Sequence, residues 1–314
     1  YHCVEVGGSP CLDFIYGDED VDLASVSKQS SGFMQVATVI HSGKYIYYLG
    51  ANSIGRCRED TEQNAANLEI VDLSGIADLS DIQFNEDITV AGGYIYCSGN
   101  NGNGVHSQYI WRIKVTNFAV GGVEVIDTGF ARGFSSISSD KMFAYLVGGY
   151  DASDNLNNGK LVRVVLSMWG QSNAVTEFDL GWGEVSFGAV VGLKYVGVSA
   201  SEGKAYVISR SDVSASGSTT IDLGAEGQDV SDICASEQFV YILSTGGYII
   251  RIDTSNNAIQ KINGASANAK YTGRRTCSFA DGKLYTITTE SDPVIGIIQE
   301  NSFVDQSFVA YELK

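Results

Sequence analysis

Residues 237–253 read Glu-Gln-Phe-Val-Tyr-Ile-Leu-Ser-Thr-Gly-Gly-Tyr-Ile-Ile-Arg-Ile-Asp. Two short β-branched and aromatic runs flank Gly246-Gly247, the composition of two antiparallel strands joined by a tight turn. The central Tyr of the first run recurs along the chain. It stands in Gly43-Lys-Tyr-Ile-Tyr47, Gly92-Gly-Tyr-Ile-Tyr96, Asp140-Lys-Met-Phe-Ala-Tyr145, Gly203-Lys-Ala-Tyr206, Glu237-Gln-Phe-Val-Tyr241 and Gly282-Lys-Leu-Tyr285. Between these runs falls an apolar residue, then Asp, then a turn: Asp72, Asp127, Asp179 and Asp222, with a weaker copy at Asp253. Asp caps its own downstream backbone and Gly accepts positive φ, so a mark repeated once per unit is read as turn chemistry rather than catalysis. Alternation such as Gln108-Tyr-Ile-Trp-Arg-Ile-Lys-Val115 makes half-buried strands. No segment carries a sustained helical period.

The spacing of the Tyr marks, roughly 48 residues on average, matches a four-stranded propeller blade. The fold expected is therefore all-β: a single β-propeller of about six blades. The blades are read as 33–80, 81–129, 130–181, 182–224, 225–264 and 265–314. Blade four lacks a recognisable strand. Residues 1–32 form an N-terminal segment expected to pack on the propeller and complete an outer edge, or to raise the count to seven if it is fuller. Ala144-Tyr-Leu-Val-Gly-Gly149 with Leu161-Val-Arg-Val-Val165 resembles a kelch blade. Phe239-Val-Tyr-Ile-Leu243 through Ile252-Asp-Thr-Ser-Asn-Asn257 is similar to repeats of microbial surface-layer propellers. The resemblance covers the architecture and names no specific family; it implies a scaffold that binds other molecules.

The chain of 314 residues carries a formal charge of −17, with Lys and Arg unclustered. Nucleic acid and anionic membranes repel such a surface. No apolar run reaches the roughly 20 residues of a membrane-spanning helix, so no transmembrane segment is expected. The six cysteines are Cys3, Cys11, Cys57, Cys97, Cys234 and Cys277, and none shows C-x-x-C spacing. The even count is read as three disulfides in an oxidising compartment, paired by order as Cys3–Cys11, Cys57–Cys97 and Cys234–Cys277. The chain opens at Tyr1 without Met, read as a terminus left by signal removal. From these features the protein is expected to be secreted and extracellular. No Asn-x-Ser/Thr acceptor occurs, so N-glycosylation is not expected.

Functional candidates are sparse. Long loops in blades one to three (51–67, 100–107 and 151–159) suggest a lopsided binding face. Asp151, Asp154, Asn155 and Asn157 offer closely spaced oxygen ligands of the kind calcium prefers, without the spacing of an EF-hand. The run Asp18, Glu19, Asp20 and Asp22 reads as a solvated face. His2, His41 and His106 occupy no catalytic motif. No catalytic residue is assigned and no cofactor is expected other than calcium. The leading expectation is a secreted, non-enzymatic interaction module that self-associates, such as a subunit of an extracellular filament, appendage or surface layer. A lectin is the alternative and would display Trp111, Trp169 or Trp182 to glycans. A propeller glycoside hydrolase or lyase is the third; it would gather carboxylates and an arginine in the axial channel, with Glu184, Asp229 and Arg275 as candidates.

Overall fold

The structure is a computed structural model that describes residues 36–312, apart from 51, 59, 62–66, 80–83, 101–107, 131–132, 150–157 and 289–293. The N-terminal segment, Cys3, Cys11, the acidic run at 18–22 and the calcium candidates Asp151, Asp154, Asn155 and Asn157 lie outside the described residues.

The chain folds as an all-β, six-bladed propeller of six antiparallel four-stranded sheets. Blade one holds β1 (Val36–Ser42), β2 (Tyr45–Gly50), β3 (Ser53–Arg58) and β4 (Glu69–Asp72). Blade two holds β5 (Phe84–Ala91), β6 (Tyr94–Asn100), β7 (Tyr109–Lys114) and β8 (Val123–Asp127). Blade three holds β9 (Ser136–Ser139), β10 (Phe143–Val147), β11 (Asn158–Val165) and β12 (Val175–Glu184). Blade four holds β13 (Phe187–Val191), β14 (Lys194–Ser199), β15 (Lys204–Ser209) and β16 (Thr219–Asp222). Blade five holds β17 (Val230–Ala235), β18 (Phe239–Ser244), β19 (Tyr248–Asp253) and β20 (Ala258–Asn263). Blade six holds β21 (Arg275–Ala280), β22 (Lys283–Thr288), β23 (Val294–Gln299) and β24 (Val309–Glu312).

Every sheet is built in chain order, first strand to fourth. Among the described residues no strand is exchanged between blades. From blade one to blade six, successive first strands neighbour one another. The first strands therefore surround the axis and the fourth strands form the rim.

The core is a series of inter-blade layers. Tyr47, Leu49 and Ile54 of blade one meet Ile95, Cys97 and Trp111 of blade two. Tyr96 and Ile110 meet Ile137, Ala144 and Leu146 of blade three. Tyr145 and Trp182 meet Tyr195 and Tyr206 of blade four. Val196 and Val198 meet Val240 and Ile242 of blade five, and Tyr241 and Leu243 meet Cys277 and Leu284 of blade six. Second strands thus bury both faces, and their sequences are mostly apolar rather than alternating. A lone sheet of this kind would expose half its apolar side chains, so each blade depends on its neighbours.

Blade four has all four strands, correcting the sequence reading. Tyr206 lies on the third strand, β15, opposite Gly197. The true counterpart of the repeated Tyr is Val196, third in a strand with the same burial pattern as β2 and β18. A tyrosine one strand too late makes one step long and the next short. The aromatic bulk of that layer comes instead from Trp182, stacked on Tyr206 and Tyr195 at 5.3 and 6.5 Å. Gly197 leaves room for it: a Cβ there would stand 2.9 Å from the indole ring.

The repeated Asp residues are turn formers. Asp72, Asp127, Asp179, Asp222 and Asp253 each accept, through Oδ1, the backbone N–H two residues on, at 2.7–3.1 Å. Three of those donors, Gly129, Gly181 and Gly224, have φ of 73°, 62° and 71°, where a Cβ would be strained.

Candidate functional site

The innermost strands are the natural place for a site in a propeller, and a polar position recurs on them. Thr38, Asp87, Ser136, Phe187, Asp232 and Thr276 occupy equivalent places on the first strands, each paired with the residue two after the core Tyr or Val. In β1, β5 and β17 the register shifts just before this position. Such a bulge re-aims a side chain.

In β5 and β17 it aims an aspartate at the next blade. Asp87 Oδ2 accepts the Ile137 N–H at 2.9 Å and the Ser136 hydroxyl at 3.0 Å. Its Oδ1 accepts the adjacent Ile88 N–H at 2.8 Å. The Gly188 N–H donates to the Ser136 hydroxyl at 3.2 Å. Asp232 repeats the Asp87 arrangement, accepting the Cys277 N–H at 2.7 Å and the Ile233 N–H at 2.8 Å. Phe187 interrupts the series in blade four.

Enclosure by protein pushes the Asp87 carboxyl up to about 6 and the Asp232 carboxyl up to about 7; the N–H donors pull the other way. Asp87 and Asp232 stand three blades apart, and the charge of Asp87 adds to the rise at Asp232. Carboxyls raised this far have the titration of catalytic acids. Their hydrogen bonds give them another role: both are committed to holding neighbouring first strands together.

Glu184, Asp229 and Arg275 occupy three separate settings. Glu184 ends β12 and accepts the Ser186 and Ser201 hydroxyls at 3.2 and 2.7 Å. Asp229 is exposed in the turn before β17, at φ 54°. Arg275 is 1% exposed, stacked on Tyr271 at 4.5 Å, with Nη2 directed at the Tyr248 carbonyl. The three indoles are not displayed as sugar platforms either. Trp111 and Trp182 are buried, and Trp169 packs edge-on against Tyr96 at 5.4 Å.

The cysteine pairing by order is corrected in blades one and two. On β3, Ile54 and Arg56 face blade two, so Cys57, one residue out of phase, points to the opposite face. Cys97 lies in the layer between blades one and two and is a thiol. The sheet of blade one separates the two residues. Cys234 and Cys277 are also thiols, but they lie together in the layer between blades five and six.

A second repeat, missed in the sequence, joins the blades nearer the rim. The core Tyr of four blades stands opposite an Arg on the third strand: Tyr47 with Arg56, Tyr96 with Arg112, Tyr145 with Arg163, and Tyr241 with Arg251. Arg56 lies over Tyr45 and Phe118, each at 4.4 Å, and Arg112 over Tyr94 and Trp169 at 4.0 and 4.8 Å. Glu69 and Glu124, on the fourth strands, bind these guanidiniums at 2.8 and 2.6 Å. Three of the four then cross to the next blade: Arg56 to the Val115 carbonyl at 2.7 Å, Arg112 to that of Leu166 at 3.4 Å, and Arg251 to that of Glu300. The signal was a Tyr followed, one strand later, by Arg.

The turns between first and second strands form one end of the ring. Met142 and Leu193, in these turns of blades three and four, are 62% and 78% exposed. Between them Asp140 of blade three pairs with Arg210, whose N–H donates to the Leu193 carbonyl at 3.0 Å.

No protein-family model matches the chain, and no curated protein matches it. Solved structures do match. The WD40 repeats of RRP9 superpose with a TM-score of 0.62 at 9% identity, over 95% of this chain and 82% of that one. The WD40 domain of Neurospora crassa Pan2 gives 0.59 at 10%, over 85% and 76%. Apo AztD from Citrobacter koseri gives 0.54 at 11%, over 91% and 90%. At these identities the likeness establishes the propeller fold alone.

Proposed function

We propose that this chain is a non-enzymatic protein-interaction scaffold that works outside the cell and assembles with copies of itself, as a subunit of a filament, appendage or surface layer. The observation that carries the reading is the pair Met142 and Leu193. Two large apolar side chains stand on adjacent turns of one face of an otherwise acidic molecule. Exposed apolar groups on neighbouring turns of one face are the kind of feature that marks a contact surface. WD40 propellers among the structural neighbours support a scaffold in general terms. The net charge of −17 opposes self-association over long range. At physiological salt that repulsion is screened beyond about 8 Å, so short-range apolar contact prevails.

Light scattering on the full chain tests this. The expected result is concentration-dependent assembly in 0.15 M salt (on the order of physiological) that weakens at low salt. The double variant Met142→Ser, Leu193→Ser should assemble much less. A wild-type chain that stays monomeric at every concentration and salt defeats the reading. Glycan binding by such a monomer on an array would favour the lectin instead. Recovery of the full-length gene product from the medium rather than the cell checks the extracellular part.

A further inference from the structure

We propose that Cys234 and Cys277 form a reversible disulfide that staples the innermost strands of blades five and six. Cys234 lies on β17 and Cys277 on β21, neighbouring first strands joined by the Asp232–Cys277 N–H bond at 2.7 Å. Both side chains enter the layer between the two blades, with Cys277 among its members and Cys234 packed against it. The Cys277 thiol interacts with both the Cys234 thiol and the Asp232 carboxyl. No other described cysteine shares that layer.

Accessibility orders the chemistry. Cys277 is 8% exposed, while Cys234 is half-buried and reachable by a small oxidant. The oxidant is a low-molecular-weight disulfide, R–S–S–R. The Cys234 thiolate attacks one of its sulfurs; the oxidant's S–S bond breaks, and the leaving RS⁻ takes up the Cys234 proton. The mixed disulfide is then attacked at Cys234 Sγ by the Cys277 thiolate. The second RS⁻ leaves and takes up the Cys277 proton. Two protein thiols lose two electrons, and the oxidant is reduced to two RSH. Burial pushes the Cys277 thiol well above the usual range, which slows ring closure. Reduction by a dithiol reverses both steps.

Oxidation of the full chain with glutathione disulfide, alkylation and trypsin digestion test the staple. Cleavage after Arg210, Arg251, Arg275 and Lys283 isolates Cys234 and Cys277 on separate peptides, 211–251 and 276–283. The expected product is these two peptides disulfide-linked, preceded by a glutathione adduct on Cys234 alone. The oxidised protein should melt about 5 °C or more above the reduced one, because a long loop is closed in the unfolded state. Dithiothreitol should return the melting point to its starting value. Cys277→Ser should stop at the adduct with no rise in melting point, and Cys234→Ala should give neither adduct nor link. Because the linked peptide is sought in the wild-type chain, a variant that folds poorly does not spoil the test. A permanent Cys234 adduct without linkage, linkage of Cys234 to another cysteine, or full alkylation of both thiols after prolonged oxidation overturns the proposal.

Discussion

Arg56 stands directly opposite Tyr47 across β2 and β3, yet its Nη1 ends 2.7 Å from a carbonyl of the next blade, that of Val115. The side chain belongs to two sheets at once. Its stem and planar head cover aromatic rings, Glu69 fixes its fork, and its remaining donor holds the neighbour. Arg112 and Arg251 do the same one and four blades on.

The weight of this clasp lies in the arginine. Arg112 has a side-chain exposure of 11%, and its partner Glu124 of 45%. Arg112→Ala removes the ring contacts and the inter-blade bond together, so a loss of roughly 2–3 kcal/mol is expected. Glu124→Gln removes only a half-exposed charge and should cost less than about 1 kcal/mol. Urea unfolding of the two variants measures the difference. Equal losses would show that the ion pair, not the stacking, holds the joint.

The buried carboxyls make stability depend on pH. Asp87 and Asp232 titrate near 6 and 7 in the folded chain, against an unperturbed value of 3.8. Between these limits the native state binds more protons than the unfolded one, so their contribution falls as pH rises from about 4 to about 7 and is flat outside that window. Each accounts for a few kcal/mol, on the order of 1.4 kcal/mol for every tenfold gain in proton affinity on folding. Asp232→Asn keeps an acceptor for the Cys277 N–H without the charge. Its stability relative to wild type should therefore rise over that interval in pH-dependent thermal melts. A difference that stays constant across the window contradicts the assignment.

The layer between blades three and four leaves no spare room around Tyr195. A Cβ added at Gly188 would fall 1.9 Å from Tyr195 Oη and 2.6 Å from Cζ. Because the ring is buried against Tyr145 at 5.3 Å, it has little freedom to retreat. Gly188→Ala should cost about 1–3 kcal/mol by overpacking. A glycine in an exposed turn with ordinary space, such as Gly75, should accept Ala with a change below about 0.5 kcal/mol. Calorimetry of both variants gives the comparison.

Much of the architecture was legible because a blade repeats both its core and its turns. Tyr47, Tyr96, Tyr145, Tyr241 and Tyr285 mark second strands, and Asp72, Asp127 and Asp222 end fourth strands, through local chemistry that a sequence displays. Blade four defeated the count because Val196 fills the tyrosine's place while Tyr206 imitates it one strand later. Asp87, Ser136, Asp232 and Thr276 each precede their core tyrosine by nine residues, so the innermost-strand position was present as a spacing. It went unread because the residue type varies, Phe187 included. The crossing of Arg56 to Val115 has no local signal, since it joins residues far apart in the chain through a geometry only the closed stack creates. Cys57 failed for the opposite reason: pairing by chain order ignores which face of a strand a residue occupies.

Each blade is finished by its own stretch of polypeptide. Hydrogen bonding within the sheets is thus indifferent to where the gene begins. A break in the connection at Ala225–Glu226, between blades four and five, would cut no strand ladder. Insertions of whole blades, or their loss, are accordingly the variation this design tolerates most readily over evolutionary time.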